Sequence, residues 1–395
     1  MRGGRQRKAV LGASLVGGSG ELLDFLVPLW AGAALGATPT QIGLLVGVEL
    51  AVSFVARALA GRASDTYERT RVAALGAALY AASCAVYAVA PNVGVAFVAA
   101  VVGGVGGPLL WVSVRAVVAE ALEDDAEAFA RLTSAVAFAS WFFWFPAMYL
   151  LPLLDFFGVF TALAVTCAIG AIGLLLAPRV ATADRTAPRP LRRDVLRLRP
   201  LLGAVMLMAV AEGGIGLLLL LHLQASFGLE IYQIALVYLP GGIAMTVLPR
   251  PLHRLSRRWG RRATYAGACL ASAICFAGLA VAPGPVAVAV LWVLASAGWA
   301  ALAPLQEAVV AEACEDRVGR GMSLLGNAAL VGATVGVMAG GALYEAFSWA
   351  WACLALGLVA GGTAVLGPRA LRAMGVPDQP SGVVDATPGR SADGT

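Results

Sequence analysis

Gly61-Arg62-Ala63-Ser64-Asp65-Thr66-Tyr67-Glu68-Arg69-Thr70-Arg71 is a short, charged, turn-forming stretch between two apolar runs, each long enough to cross a bilayer. An Asp and several Arg sit together where the chain leaves no room for a domain. A counterpart lies near the matching point of the second half: His253-Arg254-Leu255-Ser256-Arg257-Arg258-Trp259-Gly260-Arg261-Arg262, again between apolar runs. A basic loop after the second apolar helix of each half points to a chain built from two copies of one membrane unit.

Composition agrees. The 395 residues are 60% hydrophobic and 13% charged, with a mean hydropathy of +0.83, and a soluble chain carries about twice that charge fraction. Apolar windows of about 20 residues recur throughout. In lipid the backbone must satisfy its own hydrogen bonds, so such runs become helices. They lack the alternation of a barrel strand. The first run, from Ala9, is too long and too acidic for a signal peptide and is expected to be retained.

The net charge of +5 does not indicate nucleic-acid binding, because the Arg residues are spread over loops between helices. Cys84, Cys167, Cys269, Cys275, Cys314 and Cys353 all fall inside apolar runs without metal-ligand spacing and read as free packing residues. Neither a metal nor another cofactor is expected.

The pattern predicts twelve spans: 10–33, 41–60, 72–90, 93–118, 131–151 and 157–177, then 201–223, 231–248, 263–282, 286–310, 322–343 and 349–366. Residues 1–177 form an N-terminal six-helix bundle, 178–200 a cytoplasmic linker, 201–367 a C-terminal bundle, and 368–395 a disordered cytoplasmic tail. The 28 Lys and Arg lie in the tails, in alternate loops, or inside helices near one end. The loops 34–40, 91–92, 152–156, 224–230, 283–285 and 344–348 contain none. Basic residues mark the cytoplasmic side, so both termini are expected there, in a multi-pass protein of the plasma membrane.

The halves repeat. Gln41-Ile42 matches Gln233-Ile234 at an offset of 192, Pro91 matches Pro283, and Val118 to Asp124 matches Val310 to Asp316 at the same offset. Glu21 matches Glu212 at 191. A shared offset argues for duplication in parallel orientation.

On these residues the chain resembles the major facilitator superfamily over about residues 9–367. Transporters of that family carry G-x-x-x-D-R-x-G-R-R/K between the second and third helices. Gly61, Asp65 and Arg69 match, with Arg71 one place past the last basic residue, while Thr66, Glu68 and Thr70 depart. The second copy keeps Arg258, Trp259, Gly260, Arg261 and Arg262, with Arg257 where the Asp would be. The resemblance implies a cytoplasmic gate. Asp65 would face the N-terminus of the eleventh helix near Gly321. Arg69 would meet Glu120, and Arg261 would meet Glu312.

An ionisable group in a helix centre costs at least about 2.5–3.5 kcal/mol, so each one needs a reason. Glu21 and Asp24 lie three apart, on one face of the first helix. Two carboxylates that close resist ionising together, which suits proton uptake and release. Arg115, on the fourth helix, resembles a cavity-facing Arg of the family, and its expected partner is Glu21 or Asp24. Glu307 occupies the equivalent position in the second half, and Glu212 lies on the seventh helix. Arg57 is close enough to its helix end to snorkel, and Glu49 could face the domain interface.

Trp141-Phe142-Phe143-Trp144-Phe145 points around the whole fifth helix, so part meets lipid and part meets protein. Trp144, Trp111 and Trp299 could form an aromatic wall for hydrophobic or cationic solutes. Residues 131–151 contain no Gly, unlike the fifth helix of the family's drug antiporters. Gly332, Gly336 and Gly340-Gly341 on the eleventh helix read as a packing face.

The sequence therefore predicts an all-α membrane protein of two pseudo-twofold-related six-helix bundles, acting as a monomer and not as an enzyme. Its expected work is proton-coupled efflux, as an antiporter, of small lipophilic or cationic compounds by alternating access. Proton-coupled uptake of a sugar or organic acid, and a membrane sensor without transport, are the alternatives.

Overall fold

The structure is a computed structural model that describes residues 2–119, 128–178, 192–248, 251–252, 258–314 and 318–379. It is helical, with α1 Arg2–Leu35, α2 Pro39–Thr66, α3 Arg69–Val89 and α4 Val93–Ala119. Ala128–Leu175 follows as a helical pair broken at Asp155, whose φ of 53° and ψ of 178° are non-helical. We name its arms α5 (128–154) and α6 (156–175). The second half holds α7 Arg192–Phe227, α8 Ile231–Val247, α9 Arg261–Leu279, α10 Pro285–Cys314, α11 Val318–Ala346 and α12 Trp349–Ala373. Among the described residues, ten helical stretches are long and apolar enough to cross a membrane when Phe138–Leu175 is counted as one, and Ile231–Val247 is shorter.

The landmarks of the repeat have a local physical cause. Gln41 sits at the third position of α2, where its side chain accepts the Thr38 N–H at 3.0 Å while Thr38 Oγ1 accepts the Gln41 N–H at 3.3 Å. Gln233 does the same at the start of α8, accepting the Glu230 N–H at 2.9 Å. Each satisfies backbone donors that a helix start leaves unpaired. Neighbour relations repeat as well: α1 lies on α5 as α7 lies on α11, α3 on α4 as α9 on α10, and α2 on α4 as α8 on α10. Two cores result, one per bundle, and Phe25, Ile231 and Tyr344 touch both.

The bundles meet most extensively where α2 crosses α11. Gly43 and Gly47 lie against Val337 and Met338, and Gly341 against Pro39 and Gly43, so closely that a Cβ would collide. Thr40 N–H donates to Glu345 Oε2 at 2.9 Å, and Gln224 Nε2 to the Leu29 carbonyl at 3.1 Å. These contacts join the bundles on the face opposite the basic loops. Gly332, Gly336 and Gly340 lie on α7, the packing face read from their spacing.

Three features differ from the sequence reading. α7 begins at Arg192, inside the stretch assigned to the linker. α12 runs through Pro368 to Ala373, and the described residues continue to 379, inside the stretch assigned to a disordered tail. His222, isolated in the sequence, stacks on Trp349 at 3.9 Å between ring centroids. Cys84, Cys167, Cys269, Cys275 and Cys353 are buried, and none forms a disulfide among the described residues.

Candidate functional site

Helix α1 is surrounded: α2, α3, α4, α5 and α7 all touch it. Glu21 and Asp24 are nevertheless exposed. Both side chains therefore remain accessible on a helix flanked by neighbours from both bundles. Glu49 of α2 and the Tyr80 hydroxyl of α3 lie within electrostatic reach of Asp24. Tyr80 Oη stands over Gly20, and Glu49 Oε1 stands beside Ser83 over Gly103. Small residues at these two positions are what let the polar groups approach.

An aromatic ladder begins beside Asp24. Phe25 meets Trp144 of α5 at 5.8 Å and Tyr238 of α8 at 5.9 Å, so it bridges the bundles. Tyr238 continues to Trp292 at 4.9 Å, and Trp292 to Trp299 at 5.3 Å. Tyr238 Oη donates to the Gly216 carbonyl at 2.8 Å, which sets the ring's orientation. Trp299 Nε1 approaches Glu212 of α7 yet is buried without a hydrogen bond of good geometry. On α5 the aromatics divide as their spacing requires: Phe142 and Phe145 are exposed, while Trp141, Phe143 and Trp144 are half-buried. Trp111 packs on Gly17 of α1 and stays within the first bundle.

Arg115 is exposed and makes no ion pair with Glu21 or Asp24 among the described residues. It lies near Arg57, whose Nη1 donates to Asn327 Oδ1 on α11 at 3.2 Å. Arg115 is only about one turn from the end of α4, which carries it away from the α1 carboxylates. Arg57 does not simply snorkel; it reaches across to the other bundle. Glu307 is exposed on α10, and its neighbour Gln306 turns inward to Tyr265 Oη at 3.3 Å.

At the basic loops each half buries one arginine. Arg69 is 2% exposed, and it donates to the Ser64 carbonyl at 3.4 Å and the Ala116 carbonyl at 3.2 Å. Arg261 is 3% exposed and grips Glu312 with both terminal nitrogens, Nη1 to Oε2 at 2.7 Å. Such a fork-on-fork pair fixes geometry as well as charge. Gly61 is half-buried with open space around it, Arg258 is exposed and Gly260 is buried. Glu120 and the side chain of Asp65 lie outside the described residues, as does the expected Asp65 contact with α11.

Sequence reasoning missed Phe25, Tyr80, Tyr238 and Trp292. Phe25 alone carried a signal, its position directly after Asp24.

The family model described as Major Facilitator Superfamily matches residues 9–296 and 251–389. The fold is similar to a crystal structure of the nucleoside transporter NupG, with a TM-score of 0.72 and 17% identity, covering 95% of this chain and 99% of that one. It is similar also to a mutant of the peptide transporter POT, with a TM-score of 0.76, 14% identity and coverage of 93% and 95%. A search of curated proteins finds no match.

Proposed function

Because the chain belongs to the major facilitator superfamily, we propose that it exports lipophilic or cationic organic compounds in exchange for protons, by alternating access of its two bundles. The observation that carries this reading is the pairing of Asp24 and Glu49 with the aromatic ladder from Trp144 to Trp299, which has Glu212 at its far end. Ring faces attract organic cations, and carboxylates supply the counter-charge. The same carboxylates can bind either a proton or a cation, and that competition is what couples the two fluxes. An acidic cavity with exposed Arg115 set apart from it disfavours organic acids as cargo.

The basic face is the cytoplasmic one in this reading, and the protein works as a monomer in the plasma membrane. The cavity closes on the opposite face through α2 and α11, and Arg69 and Arg261 form the cytoplasmic gate with Glu120 and Glu312. Glu21, Glu307 and Trp111 are further groups that cargo or protons meet on the way.

The test is flux of a panel of organic cations, neutral lipophiles, sugars and organic acids in proteoliposomes, with and without a pH gradient. Cation movement driven by the gradient and lost in Asp24→Asn or Glu49→Gln is the expected result. Flux that ignores the gradient in wild type would overturn proton coupling, and flux confined to sugars or acids would overturn the cargo class.

A further inference from the structure

Helix α3 starts on a carboxylate. Glu68 is its N-cap, and the side chain accepts the Arg71 N–H at 2.9 Å. The duplication places Gly260 at the matching point, 192 residues on, so α9 begins without a side chain to cap it. Gly260 has a φ of +87°, which favours glycine, and no side-chain cap bond is present there. The unpaired N–H groups of α9 are met from elsewhere in the chain. Asp378, beyond the end of α12, accepts the Arg261 N–H on its backbone carbonyl at 2.8 Å. Its Oδ1 accepts the Arg262 N–H, also at 2.8 Å, and lies 3.9 Å from Arg262 Nε.

The neighbouring residues hold Asp378 in place. Val376 is 8% exposed within the second core. The Pro377 carbonyl accepts from Arg261 Nη1 at 3.4 Å, and the Val376 carbonyl from Arg262 Nη2 at 3.4 Å. A Cβ on Gly260 would run into the Asp378 carboxylate at 2.9 Å, so glycine is what leaves room for the visiting group. The second copy of the loop also has Arg257 where the family's Asp stands, so its own sequence offers no acid nearby.

We propose that Asp378 supplies, from the far end of the chain, the capping carboxylate that the start of α9 lacks, and that it positions Arg261 on Glu312. The segment after α12 is then a working part of the second bundle's basic face. The cap itself is independent of the transport reading. Only its effect on turnover rests on the proposed gate.

Four variants test this. Asp378→Ala, and a chain ending at Pro377, should each lower the melting temperature by roughly 2–4 °C. Both should speed amide exchange about tenfold or more in peptides covering the start of α9, with no change at the start of α3. Asp378→Asn, whose amide oxygen still accepts, should keep most of the protection. A chain ending at Gln379 should match wild type. Equal exchange at α9 in wild type and Asp378→Ala would overturn the proposal, as would equal effects of the two truncations. A slower maximal rate with unchanged KM in Asp378→Ala would place the cap in the gate. An unchanged rate together with faster exchange would leave the cap standing and overturn its part in gating. Exchange and melting need no substrate, so they stay decisive even if the proposed cargo is wrong.

Discussion

Arg57 Nη1 donates to Asn327 Oδ1 at 3.2 Å, across the boundary between the two bundles. A hydrogen bond from a charged group is worth about 1.5–3 kcal/mol when buried, and this one is half-exposed, so about 1 kcal/mol is the expected contribution. It stabilises the arrangement in which α2 and α11 run together. Asn327→Ala should therefore shift the balance between conformations by about fivefold toward separation on the basic side. Pulsed EPR distances between spin labels on α2 and α11 would report it. An unchanged distance distribution would show that the bond is incidental.

The crossing of α2 and α11 depends on glycine for a steric reason. Replacing Gly341 by Val would force its side chain into the Pro39 carbonyl and Gly43. Overpacking of this kind costs about 1–3 kcal/mol, and here the strain falls only on the closed state of this face. Transport should fall steeply while the melting temperature changes little. A label on the outer end of α2 should become more accessible. Normal flux in Gly341→Val would contradict the closure.

Tyr238 separates ring from hydroxyl. Tyr238→Phe keeps the contacts with Phe25 and Trp292 but loses the bond to the Gly216 carbonyl, which should cost about 1 kcal/mol of stability. Tyr238→Ala removes the ring, and a lost cation–π contact of about 0.5–2 kcal/mol should raise the apparent KM for an organic cation about 2- to 30-fold. Matching KM values for the two variants would exclude the ladder from cargo binding.

Asp24 and Glu49 should act as one unit because Glu49 lies within electrostatic reach of Asp24. Either Asp24→Asn or Glu49→Gln should abolish uphill transport driven by a pH gradient while sparing downhill exchange. The double variant should be no worse than the more severe single one. Additive losses would mean that the two carboxylates work separately.

Arg261→Lys removes the fork that grips Glu312. A lysine offers a point charge and cannot hold both oxygens in one plane. Reduced turnover with cargo affinity intact, measured as binding against flux, is the expected outcome. Wild-type turnover would remove this pair from the gate.

Much of this was legible from residue order alone. The spans, the duplication and the place of the basic loops follow from runs of apolar side chains and from the cost of charge in hydrocarbon, which are local properties. Gln41 and Gln233 could be paired at one offset because each caps the helix it starts. Arg115 makes no ion pair with Glu21 or Asp24 among the described residues, because depth along α4 sets its surroundings and spacing along a sequence does not say how two helices are staggered.

What the sequence by itself determined is the run of apolar helices and the acids Glu21, Asp24 and Glu212 set within them, since both depend on short-range hydropathy. Tertiary structure alone decided that Phe25 links Trp144 to Tyr238, that Arg57 reaches Asn327, and that Asp378 caps α9. Those contacts join residues 116 to 270 positions apart in the last two cases. They arise from the way two bundles pack, and no local pattern encodes that packing.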